Sequence, residues 1–579
     1  MFLTKLLKNK KIVLILTLLT LSSLTLLSPA FAEDEAEERV YVVASTGESK
    51  TWDPMVGYGS GSDHVTYNIY EALLGVEYTD EGEWEFYSLL ATSWEIADNN
   101  SMITFNLRED VTFHDGTPFN SSTVEYWYER MAGVGRGPAW LYTMYIEDVI
   151  AVDTYEVIVN LTMPTPEFDI LCIMSNPYGA YGIVSPTYVE AHTTEEDPWA
   201  EDWMHDHGCG TGPYMIESVD HGSESVWVKY DDYWGGWSGD HIDKVIYKVM
   251  ENTQTQLMQF LAGEIDALSP EYNQVADIKS QNPDAVLFVD ETFLGELYIF
   301  MNMAKEGPLQ DINVRKAISY AFDYEGVVEQ VYAGYAVQAT GPIPNALPEW
   351  DPDVYQYSYN LTKAKEYMAL SNYSEGFEAL IVPSPGNWEQ IAQVFQSNMA
   401  ELNIDVEIQT MTYSILWDVM AEPDTAPEFT IALWYPDYPT ADSYITPVFG
   451  PIAWSWQNWA YYETEEVNNL LDEGRFEFNE TRRMEIYKDI QDILVEDAPC
   501  VYMLTEDRLT FLKPYVKGYN RVPNIQGYSL YEMSIEGKYP AEPEPEPDNG
   551  GGIPGYPYES MVAGLAAVAL ILWYANKNK

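Results

Sequence analysis

The stretch WYPDYPTADSYITPVF, residues 434 to 449, sets five aromatic residues, three prolines and two aspartates within sixteen positions. A core segment avoids a carboxylate such as Asp437, because an ionised group loses its hydration on burial. An idle loop avoids Trp434, whose indole is mostly apolar surface. Proline breaks both helix hydrogen bonding and strand ladders, so the segment reads as too interrupted for regular structure. A mixture of this kind grips something: a carboxylate supplies charge, and ring faces supply area and cation–π attraction.

Other chemistry is sparsely provided for. HDHGC, residues 205 to 209, offers His205, His207 and Cys209 at alternate positions, a soft ligand set that could hold Zn²⁺ or Ni²⁺. It falls in a loop just before GTGPY (210 to 214), and with only seven histidines in the chain we read it as accidental clustering and expect no metal or other cofactor. Neither HExxH nor GxSxG occurs, and nothing marks a nucleophile with its base. The 92 acidic residues make some carboxylate pair at glycosidase spacing inevitable, so their abundance does not point to a hydrolase. His114 in FHDGTP has no acid–base partners spaced around it; Asp115 and Gly116 read as a tight turn. No β-sandwich repeats of the kind a structural surface-layer protein carries are visible.

The chain ends indicate where it works. MFLTKLLKNKK holds four lysines, an apolar run follows from Ile12 to Leu27, and SPAFA supplies an A-x-A site at Ala30 and Ala32. That is a signal peptide over residues 1 to 32, with Glu33 the first mature residue. At the other end, residues 541 to 557 alternate Pro and Glu and then run to Gly, an extended stalk that cannot bury a core. Residues 558 to 579 follow as an anchor or sorting signal. Its apolar part, Met561 to Ala575, is about 22 Å long as a helix against a hydrocarbon core of roughly 30 Å, with Lys577 and Lys579 on the cytoplasmic side. PGYP, the apolar run and the basic end resemble archaeal C-terminal sorting signals of the PGF type, which have Phe where this chain has Tyr556.

Net charge is −63 with a pI near 4.1, which excludes nucleic acid as a partner and makes a bare anionic membrane surface repel the chain. Three cysteines are too few for a disulfide framework, although Cys172 and Cys209 could pair outside the cell. Asn99, Asn120, Asn160, Asn360, Asn372 and Asn479 each head an N-x-S/T sequon, which suits a glycosylated surface protein.

The elements that must position these residues alternate between strand and helix. RVYVVAS (39 to 45) and SMITFNLRED alternate apolar and polar residues as strands do. Ser122 with Glu125 reads as a capping box for STVEYWYERM, and Asn387 with Gln390 as one for WEQIAQVFQSNMAEL. Gly263 stops the helix TQTQLMQFLA ahead of a short strand at Ile265 to Leu268. Asp311 and Asp323 cap two successive helices. TRRMEIYKDIQDILVED is a helix that runs into the strand CVYML. Helix-then-strand units at this spacing predict α/β lobes with largely parallel sheets.

These residues carry a second resemblance, over nearly the whole ectodomain. LLATSWEIADNNSMITFNLREDVTFHDGTPFNSSTVEYWYERM resembles the signature segment of the extracellular solute-binding proteins of the peptide, nickel and oligosaccharide group. GTGPY, YDDYWGG, FLAGEID, PLQDINVRKAISYAFD and EDAPCVYML follow in that group's order. The resemblance implies a two-lobed periplasmic-binding-protein-like fold of type II. It places a first lobe with an inserted subdomain at 33 to 302, a second lobe at 303 to 499 and a return to the first lobe at 500 to 540. Chain crossings would fall near LYIFMN (297 to 302) and CVYMLTE (500 to 506). The function implied is capture of an oligopeptide between the lobes and delivery to the membrane permease of an ABC importer, without catalysis.

The same resemblance assigns roles within the opening stretch. Peptide-binding members use a W-x-x-D element to hold the ligand's α-ammonium, and Trp434 and Asp437 fit it, with Tyr435 and Tyr438 as further walls. Glu48 falls where oligopeptide binders place a first-lobe acid near the ligand. Dipeptide binders take the ligand carboxylate with an arginine near the start of a second-lobe helix, but here that loop is PSPGNWEQ. Asn387 and Trp388 in its place suit a longer peptide or an oligosaccharide. Trp454, Trp456 and Trp459 are either stacking platforms or core, which look alike in sequence.

Overall fold

Alternation makes Val40–Ser45 a strand whose inward side chains Tyr41 and Val43 are buried. In the computed structural model, which describes residues 38–57, 63–79, 82–175, 182–451, 458–521 and 527–538, this strand stands in the middle of a seven-stranded sheet. The spatial order is Val286–Asp290, Arg508–Leu512, Ala267–Leu268, Val40–Ser45, Lys244–Val249, Glu224–Lys229 and Tyr214–Asp220. The signal peptide, stalk, anchor, Trp454 and Trp456 lie outside the described residues.

Between Val40–Ser45 and Tyr214–Asp220 the chain builds an insertion. It contains the hairpin Leu74–Tyr78 with Trp84–Ser88 and a four-stranded antiparallel sheet ordered Ala91–Ile96, Met102–Leu107, Glu156–Leu161, Ile146–Asp153. A second large sheet has six strands, ordered Ala336–Gln338, Cys500–Glu506, Glu296–Met301, Phe429–Trp434, Phe377–Val382 and Ile404–Ile408. The chain passes from the first large sheet to the second between Asp290 and Glu296, and back between Glu506 and Arg508. Asp290 pairs with Arg508 and Glu296 with Thr505, so the two connections run side by side.

Both large sheets are mixed rather than largely parallel. In the second, parallel pairing is confined to Phe377–Val382 and its two neighbours. The strand that enters this sheet, Glu296–Met301, is antiparallel to the one that leaves it, Cys500–Glu506. Each return lays the chain against its own outgoing strand, and hairpins such as Tyr214–Asp220 with Glu224–Lys229 add further antiparallel pairs. Helix-then-strand order did not reveal this, because it carries no information about returning strands.

Two caps differ from expectation. The helix Ser121–Val134 is capped by Asn120, whose backbone is extended and whose Oδ1 accepts from Ser122 N–H at 2.9 Å; Thr123 completes the box. In the polar run NSST three residues could cap, and the first with extended backbone does so. Glu125 instead accepts from Ala151 N–H at 3.3 Å. The helix Asn387–Ala400 starts from Gly386 at φ 94°, a left-handed conformation that favours glycine, and Asn387 is its first helical residue rather than its cap. Asp311, Asp323 and Gly263 cap or stop their helices as expected.

The opening stretch is more regular than its prolines suggested. Trp434 ends a strand, residues 435 to 440 turn, and Ala441–Phe449 is a helix with Pro447 inside it and Thr440 as its cap. All nine helical residues are buried. Burying that much apolar surface outweighs the one hydrogen bond a late proline removes.

Candidate functional site

Ser443, in the first turn of that helix, fixes the turn before it. Its Oγ accepts from Asp437 N–H at 2.9 Å and from Tyr438 N–H at 3.2 Å. Asp437 is therefore held in one place, and it is only 2% exposed. Tyr444 OH donates to Trp434 O at 3.0 Å and ties the helix back to the strand. The Trp434 and Tyr435 rings, both half-buried, lie nearly parallel with centroids 6.4 Å apart. Trp434 Nε1 is buried without a hydrogen-bond partner among the described residues.

Sequence reasoning missed the groups that surround this stretch. Phe293, in the first connection between the sheets, sits 5.9 Å from Tyr435, and the Arg508 guanidinium lies 3.2 Å from the Phe293 centroid and 6.0 Å from that of Tyr435. Burial, together with the charge of Arg521 nearby, lowers the Arg508 pKa to about 10. Glu296 pairs across the strands with Trp434, is fully buried, and has no hydrogen-bond partner at either carboxylate oxygen among the described residues. Burial pushes its pKa up, which favours its neutral form. These residues are apart from 434–438 in sequence, and only strand register brings them together.

A buried polar network joins the stretch to the inserted subdomain. Tyr438 OH is 3.0 Å from Tyr145 OH, and Tyr145 OH donates to Asp442 at 3.3 Å. Arg475 Nε donates to Asp442 Oδ2 at 3.0 Å and Thr446 Oγ1 to Asp442 Oδ1 at 2.8 Å. Burial alone would raise Asp442, but the Arg475 guanidinium carries it below the usual carboxylate range. Beside it, Arg483 donates to Asp169 at 2.9 Å and to Glu349 at 3.0 Å, and the second Glu349 oxygen accepts from Ala441 N–H at 3.1 Å. Asp169 belongs to the insertion, whereas Glu349 and Arg483 lie between the two sheet crossings.

The remaining candidates divide. Asn387 Oδ1 and Ser384 Oγ are buried without hydrogen-bond partners among the described residues, so this loop presents polar atoms in place of an arginine. Trp388 is half-buried against the core. Trp459 is core, edge-on to Trp417 at 4.8 Å and to Phe300 at 5.8 Å. Glu48 is tied to the first large sheet, where its carboxylate accepts from Gly222 N–H at 2.9 Å and meets His221 at 3.4 Å. His114 is half-buried, with Nε2 at 2.9 Å from Gly212 O, and loss of hydration lowers its pKa to about 4. His207 and His192 sandwich Trp203 at 3.8 and 3.9 Å. Cys209 is a buried thiol pushed up to about 12 by burial, and Cys172 is likewise a free, buried thiol, so the two do not form a bridge. Among the described residues no group of three metal-ligating side chains gathers, and no helix is long and apolar enough to cross a membrane.

Two sheets joined by two adjacent connections, with an insertion in the first part and aromatic residues and a carboxylate beside the junction, define a two-lobed solute-binding protein of the type II periplasmic-binding fold. A periplasmic binding protein from Helicobacter pylori in complex with the peptide STSA superposes with a TM-score of 0.76 over 86% of this chain and 98% of that one, at 23% identity. A dipeptide-binding protein from Pseudoalteromonas sp. SM9913 in complex with Met-Leu gives 0.77 over 86% and 100%, at 20% identity. Residues 85–456 match the bacterial extracellular solute-binding proteins, family 5 Middle, and the chain belongs to that family. A protein of Escherichia coli strain K12 named "Probable D,D-dipeptide-binding periplasmic protein" is 28% identical over 506 residues, 85% of this chain and 94% of its own.

Proposed function

We propose that this chain is the extracellular substrate-binding component of an ABC importer, which captures oligopeptides between its lobes and passes them to a membrane permease without changing them. The observation that carries the reading is Asp437: a buried carboxylate on a turn whose backbone Ser443 holds, with Trp434, Tyr435 and Tyr438 on the same short segment, is suited to an α-ammonium group. The peptide and dipeptide complexes of the structural relatives support it. We place the first lobe at 33–302 and 500–540 and the second at 303–499. An oligosaccharide ligand is the second reading, favoured by the polar Asn387 and Ser384 where an arginine would stand. Native mass spectrometry of protein purified from its own cells tests the two directly, since a tight binder keeps its ligand: a retained sugar and no peptide rejects the first.

The mechanism is hinge closure at the paired connections. Small-angle scattering with a peptide pool is expected to show compaction and unchanged peptides; release of cleaved product at enzymatic rates rejects a pure binding role. The leader and tail imply a protein held at the outer face of the cell membrane. Removing residues 541–579 is expected to give a soluble protein with its affinity intact, because a Pro/Glu stalk adds nothing to a core. A truncated chain that misfolds shows instead that the tail packs on the lobes.

A further inference from the structure

A cavity of about 260 Å³ opens on the first lobe, lined from residues 66–89, 175, 213–234 and 529–532. None of these segments belongs to the span 296–506 that forms the second sheet, so the cavity does not depend on lobe closure. Its walls are the rings of Tyr67, Tyr87, Tyr233, Trp234 and Tyr531. Tyr233 packs against Trp234 at 5.3 Å and edge-on to Tyr531 at 5.0 Å. Tyr87 lies flat on Gly75, where an added Cβ would fall 2.1 Å from its ring, so glycine is what lets this wall stand. Arg108 already sits 3.9 Å over the Trp234 ring and is not among the lining residues.

The charge of the cavity has one sign. Glu71, 6% exposed, accepts from Tyr233 OH at 2.9 Å and from Trp234 Nε1 at 3.0 Å on both oxygens. Glu532 stands in the wall as well. Burial pushes Glu71 up to about 7, and burial with the Glu77 charge raises Glu532. A neighbouring cavity of about 630 Å³ shares Tyr67, Tyr87 and Glu532 and adds Glu77, Asp290 and Glu291 against Arg521 alone. Electron-rich rings and carboxylates surround the smaller cavity, and its described lining residues include no cation.

We propose that this aromatic cavity is a second binding site, for a methylated (quaternary) ammonium ion. Ring faces attract such a cation in proportion to its desolvation. Donors already occupy both Glu71 oxygens, so what Glu71 offers when ionised is negative charge rather than vacant lone pairs, which suits a cation that has no N–H to satisfy, and a bound cation favours that ionised form. Because the site rests on first-lobe walls, it stands or falls independently of the peptide reading.

Isothermal titration of the full chain with choline chloride, at constant ionic strength, is the test. Choline is expected to bind saturably, while its uncharged isostere 3,3-dimethyl-1-butanol does not. Tyr87→Ala and Glu532→Gln, both at the rim, are each expected to weaken choline by about tenfold, the scale of a lost cation–π contact or charge. Asp437→Asn leaves choline binding unchanged. Equal binding of choline and the alcohol, no saturable binding of choline, or choline binding that survives both rim substitutions overturns the proposal. Circular dichroism of each variant separates loss of the site from loss of the fold.

Discussion

Asp437→Asn is expected to weaken a free-amine peptide by about tenfold to a thousandfold, at 1.4 kcal/mol per decade. The carboxylate sits where water is scarce, so a charge-assisted hydrogen bond to an ammonium is worth on the order of 2 to 4 kcal/mol by truncation, part of it the penalty of stranding the ligand's charge. Asparagine keeps the shape, and the backbone N–H groups of 437 and 438 still find Ser443, so the turn itself should survive. An N-acetylated peptide should bind the native protein poorly and lose much less on mutation. If acetylated and free peptides bind alike, the amine clamp is wrong. If only an oligosaccharide binds, the rings are the site and Asp437 accepts sugar hydroxyls.

Arg483→Met should cost about 3 to 5 kcal/mol, because it leaves Asp169 and Glu349 buried without their shared cation. Where the cost appears depends on hinge geometry. Asp169 lies in the insertion and, on the proposed lobe bounds, Glu349 lies in the second lobe, so opening the lobes would return Asp169 to water. The penalty then falls on closure: ligand affinity drops by about two to three and a half decades while the melting temperature of the ligand-free protein changes little. A large fall in melting temperature with affinity intact would show the contact to be permanent. Asp442 adds a pH signature. Its folded-state pKa is depressed, so its stabilisation is present above the unfolded value of about 4 and is lost as pH falls through the folded one.

Asp437 stands out in the sequence because a charged residue beside Trp434 breaks the rule for core segments, and the resemblance to peptide-binding members through W-x-x-D suggests a role for it. Its burial was not legible, since that depends on Ser443 and on the wholly buried helix Ala441–Phe449, which the prolines concealed. Strand and helix order along the chain read well from alternation and caps. Strand direction did not, because antiparallel return is set by residues two hundred positions apart, such as Glu296 and Thr505. Arg508, Phe293 and Tyr145 gave no local signal at all; each reaches the candidate site through tertiary contact. Asn387 with Gln390 three residues later has the pattern of a capping box, but the glycine before it, free to take φ 94°, starts the helix instead.

The two ends of the described body meet. Lys538 Nζ donates to Val40 O at 3.1 Å and to Asp266 at 3.0 Å, and the same Asp266 accepts from Val42 N–H at 2.8 Å. A pull arriving through residue 538, from a stalk or from any support the chain is fixed to, is thus taken up by the middle of the seven-stranded sheet. The six-stranded sheet is joined to that sheet by two neighbouring connections and, through the insertion, by the Tyr145–Tyr438 and Asp169–Arg483 contacts, so it lies off the direct path of the load. Tension entering at residue 538 would therefore strain the seven-stranded sheet before the six-stranded one.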